Sequence, residues 1–260
     1  MPTFTVPGAA LDWELSDEGG EPVVQLHGLT SSRYRDRLLD LDLGVGLSGT
    51  RLLRYDARGH GRSTGRAVPE DYRWEVLADD LLRILEGVFP GEPVHGVGPS
   101  MGCATLLHAI TRDPQRFSAL TLVVPPTAWE TRVAKAGDYL AAAELVERDG
   151  MAAFVEAGRS APRPPATVDA PETVPDVREE LLPSLLRGAA LSDLPPPEAV
   201  AGIGVPTTVL AWTEDPAHPL RTAERLASLV AGSELVVAAT PAQAGEWPRR
   251  LHEQVVAARR

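Results

Sequence analysis

Residues 94–107 read Val94-His95-Gly96-Val97-Gly98-Pro99-Ser100-Met101-Gly102-Cys103-Ala104-Thr105-Leu106-Leu107. The stretch begins as a short apolar run, ends as a helix-like one, and carries Gly98-x-Ser100-x-Gly102 between the two. A strand that turns abruptly into a helix brings two backbone segments close together, and glycine permits this because it has no Cβ. The residue at the apex is then held in a strained conformation, with its side chain standing free above the sheet edge. Ser100 is therefore the candidate nucleophile.

The composition is that of an ordinary globular protein with an acidic surface. The 260 residues are 43% hydrophobic and 23% charged, which fits one large α/β domain with an insertion better than two domains. The formal net charge of −11 disfavours nucleic acid and anionic membranes as partners, because both require a basic surface. Cys103 is the only cysteine, which excludes an intrachain disulfide. The first 17 residues lack a signal-peptide pattern, and no apolar run is long enough to cross a membrane, so we expect a cytoplasmic protein.

Short apolar runs alternate with amphipathic, helix-like segments along most of the chain. This alternation is typical of a parallel sheet covered by helices on both faces, with functional groups at the carboxyl ends of the strands. The predicted strands are 4–6, 11–15, 23–26, 51–55, 94–99, 120–124, 205–212 and 234–238. The predicted helices outside the region 127–202 are 71–89, 100–111, 220–231 and 247–258.

Four ordered motifs lie at the ends of these strands. They are His27-Gly28, Asp56-Ala57-Arg58-Gly59-His60-Gly61-Arg62-Ser63, the glycine-flanked Ser100, and Thr213-Glu214-Asp215-Pro216-Ala217-His218-Pro219. Together they resemble the α/β-hydrolase superfamily over nearly the whole chain. The resemblance implies the α/β-hydrolase fold, in which a mostly parallel central sheet is flanked by helices and a helical cap is inserted. The segments Glu130-Thr131-Arg132 and Glu147-Arg148-Asp149-Gly150-Met151-Ala152 are similar to the 3-oxoadipate enol-lactonase branch.

The resemblance also implies roles for individual residues in two of these loops. The backbone N–H groups of Leu29 and Met101 are expected to form the oxyanion hole, which stabilises the negative oxygen that develops during acyl transfer. Asp215 matches the catalytic acid, and its neighbour Glu214 is the alternative. His27 is expected to brace the oxyanion loop.

Asp56 and His60 form a second pair of titratable residues, in the motif that follows the strand at 51–55. The family order places both the acid and the base after the serine, and these two residues precede it. We therefore expect Asp56 and His60 to be structural.

The regular alternation stops at Thr127. From there to residue 202 the sequence predicts helices at 139–148, 150–158 and 177–187, with a proline-rich loop or strap at 161–175. The expected organisation is a hydrolase core of residues 1–126 and 203–260 and a helical cap of residues 127–202 over the nucleophile. The cap residues predicted to line the substrate pocket, with packing of the cap against the core as the alternative for each, are Trp129, Tyr139, Leu140, Met151 and Phe154.

The position of the general base stays open. In the family the catalytic histidine lies in the loop after the last strand, but here that loop, residues 239–248, contains no histidine. Three hypotheses remain. His218, three residues after Asp215, takes the role of the base; Ser100 acts without a histidine on an activated substrate; or the chain is a small-molecule binding protein on a hydrolase scaffold. His252 is expected to lie inside the final helix, away from the site.

These observations predict a serine hydrolase that acts on a small carboxylic ester or lactone. Ser100 would attack the carbonyl carbon, and Asp215 would orient the base, with His218 as the candidate. The alternative is a catalytically impaired small-molecule binder. No cofactor or metal is expected, because the sequence has no phosphate-binding glycine motif and no His/Cys ligand spacing. The expected partner is a small-molecule substrate or ligand, and the sequence leaves the oligomeric state open.

Overall fold

A mixed β-sheet forms the centre of the protein in the computed structural model, which describes residues 2–159 and 161–257. The strands are β1 (Thr3–Val6), β2 (Ala9–Asp17), β3 (Glu21–Gln25), β4 (Thr50–Tyr55), β5 (Val94–Pro99), β6 (Phe117–Val123), β7 (Thr207–Trp212) and β8 (Glu234–Ala238). Their order across the sheet is β1-β2-β4-β3-β5-β6-β7-β8. β2 runs antiparallel to its neighbours β1 and β4, and all pairs from β4 to β8 are parallel, so the prediction of a mostly parallel sheet is confirmed.

Helices cover both faces of this sheet. Every residue of β5 and β7 is buried, as expected for parallel strands with helices on both sides. None of the helices in the described part of the chain is both long and apolar enough to cross a membrane. The helices are α1 (Arg33–Leu38), α2 (Trp74–Val88), α3 (Met101–Arg112), α4 (Arg132–Arg159), α5 (Leu182–Ala190), α6 (Pro197–Ala201), α7 (Leu220–Leu229), α8 (Pro241–Ala244) and α9 (Trp247–Ala257).

Two separate apolar layers hold the sheet between these helices. One layer packs α2, α3 and α7 against the sheet through buried residues such as Leu81, Leu106 and Leu226. The other packs α9 against the opposite face through Trp247 and Leu251. The amphipathic pattern of α2 and α7 follows from this arrangement, because each buries one face and leaves the other in solvent, whereas α3 is buried on all sides from Met101 to Ile110.

The segment between β6 and β7 forms a helical insertion, as predicted, but its elements differ in detail from the prediction. α4 runs through both predicted helices and is interrupted at Gly150, where φ is 82°. The helix expected at 177–187 begins at Leu182 instead. The preceding residues pair with the core: Asp176 N–H donates to the Thr30 carbonyl, and Val177 forms a β-bridge with His60. These backbone bonds hold residues 176–177 extended, so the chain cannot become helical there.

One further helix boundary and one additional helix differ from the sequence predictions. The helix expected from residue 71 begins as a short 3-10 turn, Pro69–Tyr72, and α2 proper starts at Trp74. Helix α1 was not predicted, and its N-terminus is capped by Ser32, whose hydroxyl accepts a hydrogen bond from Arg35 N–H. Ala258, the predicted end of the last helix, lies outside the described residues.

Candidate active site

Ser100 lies at the sharp turn between β5 and α3. Its φ of 51° and ψ of −110° are unusual for a residue other than glycine, which is the strain expected at this apex. A Cβ on Gly98 would lie 2.7 Å from the Gly102 carbonyl carbon, and a Cβ on Gly102 would lie 2.9 Å from Leu26 Cβ. Both positions therefore need glycine, and the turn presents the Ser100 hydroxyl at the carboxyl end of the sheet.

Asp215 and His218 lie on the loop that follows β7, and they reach Ser100 across the end of β6. His218 Nδ1 is 2.7 Å from Asp215 Oδ2, and His218 Nε2 is 2.8 Å from Ser100 Oγ. Because a carboxylate only accepts hydrogen bonds, Nδ1 carries the proton and donates it to Asp215. Nε2 is then the acceptor for the Ser100 hydroxyl. The structure thus brings together all three residues that the sequence named as catalytic candidates.

The Asp215 carboxylate is held by four donors. Oδ1 accepts from the N–H groups of Ala217 at 2.8 Å and His218 at 3.3 Å. Oδ2 accepts from Trp212 Nε1 at 2.7 Å as well as from the His218 ring. Burial alone would raise the pKa of Asp215, but the His218 ring, Trp212 and the Ala217 N–H together hold this pKa well below its usual range. Asp215 is therefore ionised at neutral pH and fixes the orientation of His218.

The loop after β3 lies beside the nucleophile. A Cβ added to Gly28 would lie 3.8 Å from Ser100 Cβ, so the backbone of this loop runs next to Ser100. Within the described residues, no hydrogen-bond acceptor takes the N–H of Leu29. Met101 is the first residue of α3, where the N–H has no acceptor within the helix. Among the described residues, neither N–H group has a hydrogen-bond acceptor; that of Met101 directly follows Ser100, and that of Leu29 belongs to the loop whose Gly28 lies beside it.

His27 braces this loop from behind. Its Nε2 accepts a hydrogen bond from Ala57 N–H at 2.9 Å, so the other ring nitrogen donates to the Gly28 carbonyl at 2.8 Å. Burial lowers the pKa of His27, which keeps the ring neutral as this pattern requires. The ring ties the loop after β3 to the turn after β4.

Asp56 and His60 have structural contacts, as expected. Asp56 accepts hydrogen bonds from Arg33 Nε and from Arg62 N–H, each at 3.0 Å. His60 Nδ1 is 2.8 Å from the Arg58 carbonyl, and its ring lies 5.0 Å from that of His27. Burial lowers the pKa of His60 to about 3, so this ring is neutral throughout the physiological range.

A cavity of about 420 Å³ lies between the insertion and the core, beside Asp215. Thr30 and Trp212 form part of its core wall. Phe154 is the only residue of the predicted pocket set that lines it. Arg35 also lines this cavity and was not singled out from the sequence, although the Ser32 N-cap signal marks the short helix that carries it.

The other predicted pocket residues lie elsewhere. Trp129 lines a separate cleft, where its Nε1 donates to the Pro195 carbonyl at 3.1 Å. Tyr139 and Met151 pack against a cluster of buried residues formed mainly by the insertion. Leu140 is about half exposed on the surface of α4. Trp129 also packs against the main core cluster, so none of these four residues lines the cavity beside Asp215.

Two further residues with potentially reactive side chains, His252 and Cys103, take no part in this hydrogen-bond chain. His252 lies in α9, as expected, and the hydrogen-bond partner of Ser100 Oγ is His218. Cys103 is buried in α3, which raises the pKa of its thiol and keeps it unreactive. Within residues 2–159 and 161–257, no group of three or more His, Cys, Asp or Glu side chains is arranged to hold a metal ion.

The chain matches a known protein family and several solved structures. Residues 21–242 match the family model described as "alpha/beta hydrolase fold". The enol-lactonase from Burkholderia xenovorans LB400 has a similar structure, with a TM-score of 0.76, 23% identity, and 99% of each chain covered. A hydrolase from Pseudomonas aeruginosa PA01 has a TM-score of 0.78 and 24% identity over 99% of this chain and 97% of its own.

One curated relative matches part of the chain at higher identity. It is ethanol acetyltransferase 1 of Kluyveromyces marxianus, which is 34% identical over 103 residues. The match covers 40% of this chain and 27% of the relative. The chain thus spans about a quarter of the length of that protein.

Proposed function

This chain belongs to the alpha/beta hydrolase fold family, and we propose that it is a serine hydrolase that cleaves a small carboxylic ester or lactone. The observation that carries the proposal is the continuous hydrogen-bond chain from Ser100 Oγ through the His218 ring to Asp215. A serine hydroxyl is a poor nucleophile at neutral pH unless a base removes its proton as it attacks. His218 has the position and the tautomer to do so.

The reaction proceeds in two halves on these residues. Ser100 Oγ attacks the carbonyl carbon while His218 Nε2 takes the hydroxyl proton, and the Asp215 carboxylate stabilises the imidazolium that forms. The negative oxygen of the tetrahedral intermediate accepts from Leu29 N–H and Met101 N–H. His218 then donates its proton to the leaving alkoxide, which leaves an ester on Ser100. In the second half, water attacks this ester while His218 takes one of its protons; the bond from the acyl carbon to Ser100 Oγ then breaks, His218 returns the proton to Oγ, and the carboxylic acid product leaves.

The helical insertion completes the site in this proposal. Residues 1–126 and 203–260 form the hydrolase core, and residues 127–202 form a cap over the reacting groups. The cavity beside Asp215, walled by Thr30 from the core and Phe154 from the insertion, supports this assignment. The enol-lactonase with the same fold supports a lactone or ester as substrate class.

The test is labelling with a fluorophosphonate, which reacts only with an activated serine, together with hydrolysis of p-nitrophenyl acetate and butyrate. Wild type should be labelled on Ser100, and Ser100→Ala should lose both labelling and hydrolysis. In His218→Gln, both the rate of labelling and the rate of hydrolysis of each ester should fall at least 100-fold, because general-base catalysis typically contributes 10²–10⁴-fold. His252→Gln is the matched control and should behave as wild type.

Two outcomes would contradict the proposal. If folded wild type is neither labelled nor able to hydrolyse either ester, the alternative of a binding protein on a hydrolase scaffold replaces it. If His218→Gln is labelled as fast as wild type, the base lies elsewhere. Circular dichroism spectra of each variant establish that the loss of reactivity does not come from unfolding.

A further inference from the structure

The wall of the cavity beside Asp215 carries an excess of positive charge. Three guanidinium groups and two carboxylates line it: Arg35, Arg159, Arg163, Glu172 and Asp215. Arg159 and Arg163 each lie 3.5 Å from Glu172, so this part of the wall contains its own counter-ion. The Asp215 carboxylate is occupied by His218, Trp212 and the backbone of its own loop.

Arg35 has a different environment from the other two arginines. Its Nε donates to Thr173 Oγ1 at 2.9 Å, and its Nη1 donates to the Thr30 carbonyl at 3.1 Å and the Thr30 hydroxyl at 3.2 Å. All these acceptors are neutral, and among the described residues no carboxylate forms an ion pair with Arg35. In the same part of the chain, Nη2 has no acceptor. A guanidinium that retains unused donors in a cavity wall is suited to bind an anion.

The physical chemistry favours a carboxylate as that anion. Partial burial lowers the pKa of Arg35 by more than the nearby charges of Asp36 and Asp176 raise it, which reflects the cost of holding this cation away from water. A ligand carboxylate would offset this cost through a charge-assisted hydrogen bond, and the planar guanidinium matches a carboxylate in shape. Because the two threonines already hold the side chain in place, little further rotamer entropy would be lost on binding.

The cation lies close to the proposed chemistry. Thr30, which holds Arg35, directly follows Leu29 in the loop beside Ser100. Asp215, which also lines the cavity, is linked to Ser100 through the His218 ring and two hydrogen bonds. The remaining wall is largely apolar, with Leu39, Leu41 and Phe154 among its residues. A short aliphatic chain that leads from the scissile carbonyl to an anionic end would fit this combination.

We infer that this cavity is a carboxylate-binding subsite and that the substrate is an ester or lactone with a second, ionised carboxyl group bound by Arg35. The inference rests on the proposed hydrolase function and adds to it the charge of the substrate and the residue that selects it. If Arg35 were purely structural and only tied Thr173 to Thr30, its substitution would instead change kcat/KM equally for anionic and neutral substrates.

The experiment compares matched pairs of esters. The anionic members are the monomethyl esters of succinic, glutaric and adipic acid, and in each neutral partner an isopropyl group replaces the carboxylate. The measured quantity is the ratio of kcat/KM for the anionic ester to that for its neutral partner, in wild type, Arg35→Met, Arg35→Lys and Arg163→Met. The ratio cancels any general effect of a variant on folding or on the oxyanion loop.

Wild type should prefer at least one anionic ester. Arg35→Met should lower the anionic-to-neutral ratio of kcat/KM on the order of 10- to 100-fold, as expected for the loss of a charge-assisted hydrogen bond. Arg35→Lys, which keeps the charge without the planar fork, should show a smaller decrease. Arg163→Met is the matched control from the same wall and should change the ratio less than threefold, because Glu172 and the Ala170 carbonyl already engage that guanidinium.

The outcomes separate this inference from the proposed function. If wild type hydrolyses the neutral esters but prefers no anionic one, the subsite is overturned and the proposed hydrolase function stands. The same conclusion follows if Arg35→Met leaves the anionic-to-neutral ratio of kcat/KM unchanged. If wild type hydrolyses none of these esters, binding of glutarate is measured by calorimetry. Binding that Arg35→Met weakens tenfold or more supports the subsite without catalysis, and absence of binding overturns it.

Discussion

Asp215→Asn tests how the acid orients the base, because the hydrogen bonds around this carboxylate are asymmetric. Oδ1 faces two backbone N–H groups, and Oδ2 faces the Trp212 indole and the His218 ring. Asparagine offers one acceptor oxygen and one NH₂ donor in place of two acceptor oxygens. Keeping the amide oxygen towards the two backbone donors is the better orientation, since the reverse would leave both of them unpaired.

In that orientation the new NH₂ group meets Trp212 Nε1–H and His218 Nδ1. The indole can only donate, so it loses its partner, which should cost about 1–3 kcal/mol of folding free energy. His218 can adapt only by accepting at Nδ1, which moves its proton to Nε2. Nε2 then no longer accepts from Ser100, and kcat/KM should fall by about 10⁴-fold, the size of effect known for the wrong histidine tautomer in a serine protease.

The assay pairs ester hydrolysis with thermal unfolding in a double-mutant cycle. Trp212→Phe removes the indole donor without changing the acid. In that background, Asp215→Asn should cost about 1–3 kcal/mol less stability than in wild type, because no indole N–H is left unpaired. The loss of activity should be the same in both backgrounds. Activity of Asp215→Asn within threefold of wild type, or recovery of activity in the double mutant, would refute the proposed role of Asp215.

Two further predictions concern the sharp turn around Ser100, called the elbow below, and the loop beside it. Gly98→Ala should prevent accumulation of folded protein or lower Tm by more than 10 °C, because the new Cβ would lie 2.7 Å from the Gly102 carbonyl carbon, whereas Gly137→Ala, with open space at the same position, should leave Tm within 2 °C of wild type. Asp36 accepts a hydrogen bond from Ser31, and burial raises the pKa of its carboxyl group to about 7. In the folded protein this group therefore keeps a proton that the unfolded chain releases at about pH 4, so the free energy of unfolding decreases as the pH rises from about 4 to about 7. Urea unfolding of Asp36→Asn and wild type should therefore give a stability difference that grows in favour of the variant from pH 5 to pH 8, by an amount on the order of 2–4 kcal/mol; parallel curves would contradict the shift.

The sequence predicted the elements of the core better than those of the insertion. Strands such as β5 and β7 are buried on both faces, so their apolar runs identify them without knowledge of their neighbours. The elbow was predictable because the close approach of Gly98 and Gly102 is a requirement of local geometry. The fold of the insertion depends on contacts with the core: Asp176 is extended because it bonds to Thr30, a residue 146 positions earlier in the chain. No local pattern in the insertion records that contact.

The position of the proposed base also depends partly on nearby residues and partly on distant ones. His218 could be named as a candidate from its spacing to Asp215, but whether its ring reaches Ser100 depends on where the next helix begins. In the structure, the His218 N–H bonds back to the Asp215 side chain, and α7 starts only at Leu220, after Pro219. This turn aims the ring back over β6 towards the elbow. Which side chains line the cavity depends on how the insertion packs against the core, and no local pattern in the sequence specifies that packing.

The placement of Asp215 and His218 on a single turn has a consequence for how such proteins diversify. Where acid and base lie on separate loops, a working pair requires that both loops keep their lengths and relative positions. Here one span of four residues carries both groups and sets their mutual geometry through its own hydrogen bonds. Exchange of this one loop would therefore transfer the proposed acid and base together, and their hydrogen bond does not depend on the loop after β8. Searches that require a histidine after the last strand will overlook chains built in this way.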